Sequence, residues 1–272
     1  MVRAAVKAVT FDLWETLLFE RDGDSLRRMN ARCSSLARAL KGLQVEVSKE
    51  RVKLALDRTI SVLVETWDEN RDVSHRRQLE LLLEYAAIPV QQLRGEWFNV
   101  LSRAYMSTLH EVPPYLNPEA PRVLKRLKSQ GRRVGLICNT GLTPGAELRR
   151  FLEKHAVAGF FDVMVFSDET GVRKPDRRIF EEALRCLEVG ACEVVHVGDN
   201  LRVDVWGAKN AGLRAAHFHS QEGRDRVAEA DPRSLVSLSR SLGSSGLREV
   251  AADWVVGSLT ELVEVLDGER VG

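Results

Sequence analysis

The stretch Val194-Val195-His196-Val197-Gly198-Asp199-Asn200-Leu201-Arg202-Val203-Asp204 runs from β-forming apolar residues straight into a glycine and a polar cluster. Five more short apolar runs share its character, at 6–11, 134–138, 163–166, 215–218 and 254–256. Most are followed by a stretch with helical spacing. Strand and helix alternating at this rhythm predict an α/β fold, a doubly wound parallel sheet with helices on both faces. Helix starts and stops agree with it. Asn117-Pro118 reads as a cap and first turn before Val123, Leu124 and Leu127, with Gly131 where a left-handed residue ends the helix. Thr143-Pro144 opens the next helix, and Asp176 opens one that carries Ile179, Phe180, Ala183, Leu184 and Leu187 on one face.

Between the first two strand runs the pattern changes. From Ser25 to about His110 only helical periods are found, broken at Gly42, near Asp72 and at Pro89. This predicts an inserted all-α domain over residues 18–113, with residues 1–17 and 114–272 forming the core. A Ser- and Gly-rich stretch at 221–248 reads as a surface excursion before a last strand and helix.

Composition narrows the classes. The chain has 272 residues, 44% hydrophobic and 29% charged, with a formal charge of +1. That is the balance of a globular chain of one or two domains. Neither the insertion nor the core is basic enough to neutralise a row of phosphates, so nucleic acid is not the expected partner. No window approaches 18 uninterrupted apolar residues, so no membrane span is expected. Four cysteines, Cys33, Cys138, Cys186 and Cys192, form no CxxC pair. They read as reduced thiols of a cytoplasmic protein.

Ligands of open parallel sheets collect beyond the carboxyl ends of the strands. Asp12 stands at such an end, as nucleophile, metal ligand or simple turn cap. Asp199 leaves the strand run at 194–197 directly, and Asp204 follows five residues later, as a ligand or as a helix cap. Carboxylates converging from two strand ends need a cation to stay ionised, and oxygen-only ligands favour Mg²⁺. Lys174, held extended by Pro175 ahead of the Asp176 cap, is placed to neutralise an anionic nucleophile and an anionic substrate together, unless it is an ordinary surface lysine.

The order of these pieces resembles the four signature motifs of the haloacid dehalogenase superfamily. They are Asp12, then Cys138-Asn139-Thr140-Gly141, then Lys174-Pro175-Asp176, then Gly198-Asp199 with Asp204. The resemblance covers nearly all of residues 1–219, and the helical insertion looks like the cap that closes many of these active sites. It implies that Asp12 forms a covalent aspartyl intermediate, which water hydrolyses. It implies that Asp199, Asp12 and the backbone carbonyl of Trp14 hold Mg²⁺, that Asp204 assists them, and that Lys174 steadies the charge. Asn139 and Thr140 would bind the oxygens of the transferred group. Cys138 occupies the position that usually holds Ser or Thr, and Thr140 could supply the missing hydroxyl.

One position departs from the family pattern. Phosphatases of the superfamily usually carry a second aspartate two residues after the nucleophile, to protonate the departing alkoxide, and here that position is Trp14. Three readings follow. A phosphohydrolase would act on good leaving groups or take its proton elsewhere, with Glu15 as one candidate. A 2-haloacid dehalogenase, which carries an aromatic residue at this position, needs no acid because halide departs unprotonated. A catalytically weak binding protein would keep the fold alone. The acidic pattern around Asp199 favours phosphoryl chemistry on a small, anionic metabolite, by a monomer or homodimer. The insertion carries several arginines, including Arg28, Arg32, Arg71, Arg76 and Arg103, and one or two of them turned toward the cavity would favour an anionic substrate. His110 and Tyr115 fall near the expected hinge.

Overall fold

The inner strands of the sheet are buried on both faces, leaving no polar side for solvent, and six strands lie side by side. In chain order they are β1 (Ala8–Phe11), β4 (Arg133–Cys138), β5 (Val163–Phe166), β6 (Val194–Gly198), β7 (Arg214–Phe218) and β8 (Trp254–Val256). The computed structural model describes residues 4–219 and 251–268. The spatial order is β5-β4-β1-β6-β7-β8 and every pairing is parallel. Each expected strand is present, shifted by at most two residues. The order reverses its direction of growth between β1 and β6, so the carboxyl ends of these two neighbours open the crevice where a ligand fits.

Alternation along β1 sorts its side chains. Val9 and Phe11 join the apolar layer with α6 (Ala120–Ser129), α7 (Gly145–Lys154) and the last helix, α11 (Leu259–Gly268). Ala8 faces the other layer, with α9 (Arg177–Leu187) and the short α10 (Gly207–Asn210). In α9, Ile179, Phe180, Ala183 and Leu187 are buried, and the Asp176 side chain caps it by accepting from the Arg178 N–H at 2.9 Å. Gly131 has φ +75°, as its place after α6 requires. Asn117 corrects one expectation. It does not cap α6 directly, but accepts from the Glu119 N–H in the turn ahead and donates to the Thr16 carbonyl.

Between β1 and β4 the chain is helical, with α1 (Asp24–Gly42), α2 (Lys49–Asp68), α3 (His75–Tyr85), α4 (Gly95–Met106) and the short α5 (Thr108–Glu111). Breaks fall at Gly42, around Asp72 and at Pro89, as the periodicity predicts. These helices bury an apolar cluster of their own, joined from the core side by Leu142. A two-residue ladder, β2 (Leu18–Phe19) with β3 (Tyr115–Leu116), ties the two chain crossings into the insertion together. Two residues carry no periodicity, so this ladder has no sequence signature. The excursion expected at 221–248 lies outside the described residues. The four cysteines are free thiols, Cys33 and Cys138 buried, Cys186 and Cys192 exposed. Among the described residues no helix is long and apolar enough to cross a membrane.

Candidate active site

Asp12 is positioned by the sheet itself. Its N–H continues the β1 ladder by donating to the Val197 carbonyl of β6 at 2.8 Å, and its side chain, 11% exposed, leaves at the crevice. Lys174 comes to it from the loop between the short α8 (Ser167–Thr170) and α9. Both main-chain polar groups of Lys174 are clamped by one amide. Its N–H donates to Asn139 Oδ1 at 2.8 Å, and Asn139 Nδ2 donates to its carbonyl at 2.9 Å. The Lys174–Pro175 bond is cis. With the backbone held, Nζ reaches Asp12 Oδ1 and Asp204 Oδ1, each at 2.7 Å.

Asp204 lies in a π-helical turn, Leu201–Trp206, entered through Asn200, whose side chain accepts from the Arg202 and Val203 N–H groups. One carboxylate oxygen accepts from Lys174 Nζ and lies 3.2 Å from His196 Nε2, and the other accepts from the Asn200 N–H at 3.0 Å. The opposite ring nitrogen of His196 meets Thr10 Oγ1 at 2.9 Å, so a buried Thr-His-Asp chain crosses from β1 to the crevice. The sequence reading assigned His196 no role. Its place in a strand, flanked by Val195 and Val197, made it resemble any buried strand residue.

Electrostatics follow from burial. Burial most of all, with Asp204 beside it, pushes the Asp12 acid up to about 6 against the pull of Lys174. Burial also works against the charge on Asp204, but the Lys174 ammonium and the His196 ring outweigh it and hold this carboxyl below the ordinary range. Burial opposes the charge on Lys174 as well, yet its two carboxylate partners raise its pKa. Asp12, Asp199 and Asp204 each offer one oxygen, all within 4.8 Å of one another. Three carboxylates around one ammonium leave negative charge in excess, and that oxygen set suits a hard divalent cation.

Close approach is built into Gly198. A Cβ there would lie 2.3 Å from Asp204 Cγ. Gly198→Ala is therefore expected to displace Asp204 from its three partners and to lower stability by about 1–3 kcal/mol in denaturant titration. Gly159→Ala, where nothing lies within 4 Å of the added carbon, serves as the control.

The segment after β4 differs from its expected role. Cys138 is buried in the sheet core, where burial pushes its thiol well up, and it does not line the cavity. Asn139 and Thr140 do line it, but their side chains already have partners. Asn139 holds Lys174, and the Thr140 hydroxyl is 3.3 Å from Asp72 Oδ2 and 3.1 Å from Ser167 Oγ. The hydroxyl expected from Thr140 is thus committed within the protein. Asp72, from the insertion, also accepts from Ser167 Oγ and Arg173 Nη1, each at 2.5 Å, and from Trp67 Nε1 at 3.0 Å. Main-chain bonds flank this network, Asp72 N–H to Gly171 O at 3.0 Å and Arg173 N–H to Asn70 O at 2.9 Å. The residue before Lys174 is therefore fastened to the helical segment. Sequence reading missed Asp72, Ser167 and Arg173, because their meeting joins positions up to 101 apart.

Above Asp12 and Lys174 lies a cavity of about 160 Å³, walled by Trp14, Glu15 and Asp199 from the sheet side and by Arg28, Arg32 and Trp67 from the helices. Glu15, at φ +57°, is buried at its edge. Of the five arginines singled out in the insertion, Arg28 and Arg32 are buried on it, whereas Arg71, Arg76 and Arg103 are exposed. His110 pairs with Glu147 of α7 at 2.7 Å, and Tyr115 stacks near Phe19 within the two-residue ladder.

The carboxyl edge of a parallel sheet, gathering acids around one lysine beneath the helical segment, is where such sheets bind their ligands. Comparison with known proteins makes this specific. A sequence profile of the haloacid dehalogenase-like hydrolases matches residues 6–212, and the chain belongs to that family. It is similar to glyceraldehyde 3-phosphate phosphatase of Methanopyrus kandleri, 31% identical over 252 residues, covering 87% of this chain and 98% of that protein. The enzyme of that name from Pyrococcus abyssi is 30% identical over 217 residues, 78% of this chain and 81% of that protein. Among solved structures, 2-haloacid dehalogenase from Pseudomonas syringae superposes with a TM-score of 0.63 at 23% identity, covering 98% of this chain and all of that one. This last likeness speaks for the fold alone.

Proposed function

We propose that the protein is a Mg²⁺-dependent phosphohydrolase acting on a small phosphorylated metabolite, with Asp12 as the attacking group and residues 18–113 as the cap over it. The observation that carries this reading is the acidic triad of Asp12, Asp199 and Asp204 beside Lys174. Displacement of a halide from carbon needs no cation, so that cluster supports the phosphoryl reading over the dehalogenase one. The two relatives above, both named as phosphatases of a small phosphate ester, support it as well.

Asp12, Asp199 and the Trp14 carbonyl would hold the cation, with Asp204 behind them. When bound, Mg²⁺ would offset the excess negative charge and screen the repulsion between an anionic nucleophile and an anionic phosphoryl group. Lys174 keeps Asp12 deprotonated and oriented, so one carboxylate oxygen attacks phosphorus while the bond to the substrate oxygen breaks. The leaving oxygen departs with the bonding pair. Water then cleaves the aspartyl phosphate, releasing inorganic phosphate and restoring Asp12. Trp14 walls the cavity where an acid would otherwise stand, and its indole N–H has no proton to give in the useful range. Good leaving groups are therefore favoured.

The test is phosphate release. With Mg²⁺, acetyl phosphate and p-nitrophenyl phosphate should be cleaved at least 100-fold faster than glycerol phosphate, and Trp14→Asp should narrow that gap. Chloride release from 2-chloropropionate in EDTA, without phosphate release from either good substrate, would overturn the proposal in favour of dehalogenation.

A further inference from the structure

Arg28 and Arg32 lie one turn apart on α1, and both reach the cavity, but their situations differ. Arg28 has a counter-charge in Glu20 and a further acceptor in the Val112 carbonyl. Arg173 and Lys174, the other buried cations of the cavity, are paired with Asp72 and with Asp12 and Asp204. Arg32 is 3% exposed, and its hydrogen bonds run to carbonyl oxygens, Nε to Tyr105 O at 3.1 Å and Nη2 to Leu142 O at 3.4 Å. Its guanidinium also lies 4.8 Å from the centre of the Tyr105 ring. Among the described residues no carboxylate pairs with it.

Carbonyls and a ring face supply dipoles and a quadrupole, not a counter-charge. A guanidinium cannot escape the cost of burial by losing its proton at neutral pH, so an unpaired one is expensive unless something anionic joins it. Burial pulls its pKa down, against Tyr105 and Cys33 and not against a carboxylate. The bonds to Tyr105 and Leu142 fix the plane of the fork, which matches two oxygens of a carboxylate or phosphate. Asp12 and Lys174 line the same cavity as Arg32, so one molecule filling it would present its transferred phosphoryl group to Asp12 and another part of itself to Arg32.

We propose that Arg32 is a specificity-determining residue that binds a second anionic group of the substrate, a carboxylate or phosphate remote from the phosphoryl group attacked by Asp12. The inference rests on the phosphohydrolase reading for the identity of the first group only. The substrate class is then a small phosphate ester with an anionic tail.

Three probes test it: 3-phosphoglycerate, its carboxamide, and 1,3-propanediol bisphosphate. The acid and the amide share their size and leaving oxygen, so their ratio isolates the second charge. Rates are measured in the wild-type protein, and binding by calorimetry in Asp12→Asn. At least one anionic-tailed probe is expected to be favoured over the amide 30-fold or more, in kcat/KM and in Kd. Whichever is favoured identifies the tail as carboxylate or phosphate. Arg32→Gln should bring that ratio to within threefold, and Arg32→Lys, which keeps the charge without the fork, should fall between. A wild-type protein that does not discriminate in binding, or discrimination that survives Arg32→Gln, overturns the proposal. If Arg32→Gln does not fold, the wild-type ratio and Arg32→Lys decide. Binding that discriminates while neither these esters nor acetyl phosphate and p-nitrophenyl phosphate are cleaved overturns the phosphohydrolase reading and leaves the Arg32 subsite standing.

Discussion

Asp12→Asn should abolish phosphate release, by four or more orders of magnitude with acetyl phosphate, and should abolish the adduct that wild-type protein forms with beryllofluoride. The amide has almost the shape of the carboxylate but no anion with which to attack. The folded state should not suffer. Asp12 is a buried acid whose pKa in the folded chain, about 6, lies above its ordinary value of 3.8. An acid raised in this way is tolerated best when protonated, so its ionisation erodes stability as pH climbs from about 4 through 6, and the loss persists above. The two-unit difference corresponds to a cost on the order of 1–3 kcal/mol at neutral pH. Asp12→Asn removes that cost while Lys174 keeps Asp204, so in metal-free buffer the variant should melt no lower than wild type. Mg²⁺ should then reverse the order. At about 100 times its Kd a ligand adds ~2.7 kcal/mol, and the variant, short of one oxygen anion, should gain less. Wild-type turnover in Asp12→Asn, or an unchanged beryllofluoride adduct, would remove Asp12 from the role of nucleophile.

Lys174→Met should show the reverse pattern, with both activity and stability lost. Nζ is the shared partner of two buried carboxylates at 2.7 Å, and removing it leaves like charges facing each other away from water. Breaking a buried pair by deleting one member costs about 3–5 kcal/mol, because the surviving charge is uncompensated. Here two survive. The sign of the pH response identifies the cause. Without Lys174 both acids should rise, so the variant should regain stability as pH falls below neutrality, when protons replace the missing ammonium. Mg²⁺ should restore part of the loss by the same logic. Turnover should drop at least 1,000-fold even in the refolded, metal-saturated variant, since the attacking oxygen is no longer oriented. Arg177→Met, which breaks the exposed pair with Glu181, should leave stability and turnover close to wild type. A Lys174 variant as stable as that control would show that the buried trio is not held by charge.

Period-two apolar runs and helical spacing depend on local sterics and on burial of one face or both, and these are written into neighbouring residues. For that reason the sheet, the helical insertion and its three breaks were legible in the chain alone. Asp12 and Asp199 were legible as candidates, since a polar group directly after a β-forming run must emerge at the edge of a parallel sheet, and Lys174 and Asp204 through the order of motifs they share with the superfamily. Long-range meetings leave no such trace. The clamp of Asn139 on Lys174, the Thr10-His196-Asp204 chain, the Asp72 network that claims the Thr140 hydroxyl, and the burial of Arg32 among the insertion's twelve arginines all depend on how the layers pack. A sequence fixes which face of each helix is apolar. Which polar group on that helix then finds a charged partner, and which meets only carbonyls, is decided only when the packed layers bring residues a hundred positions apart within hydrogen-bond reach.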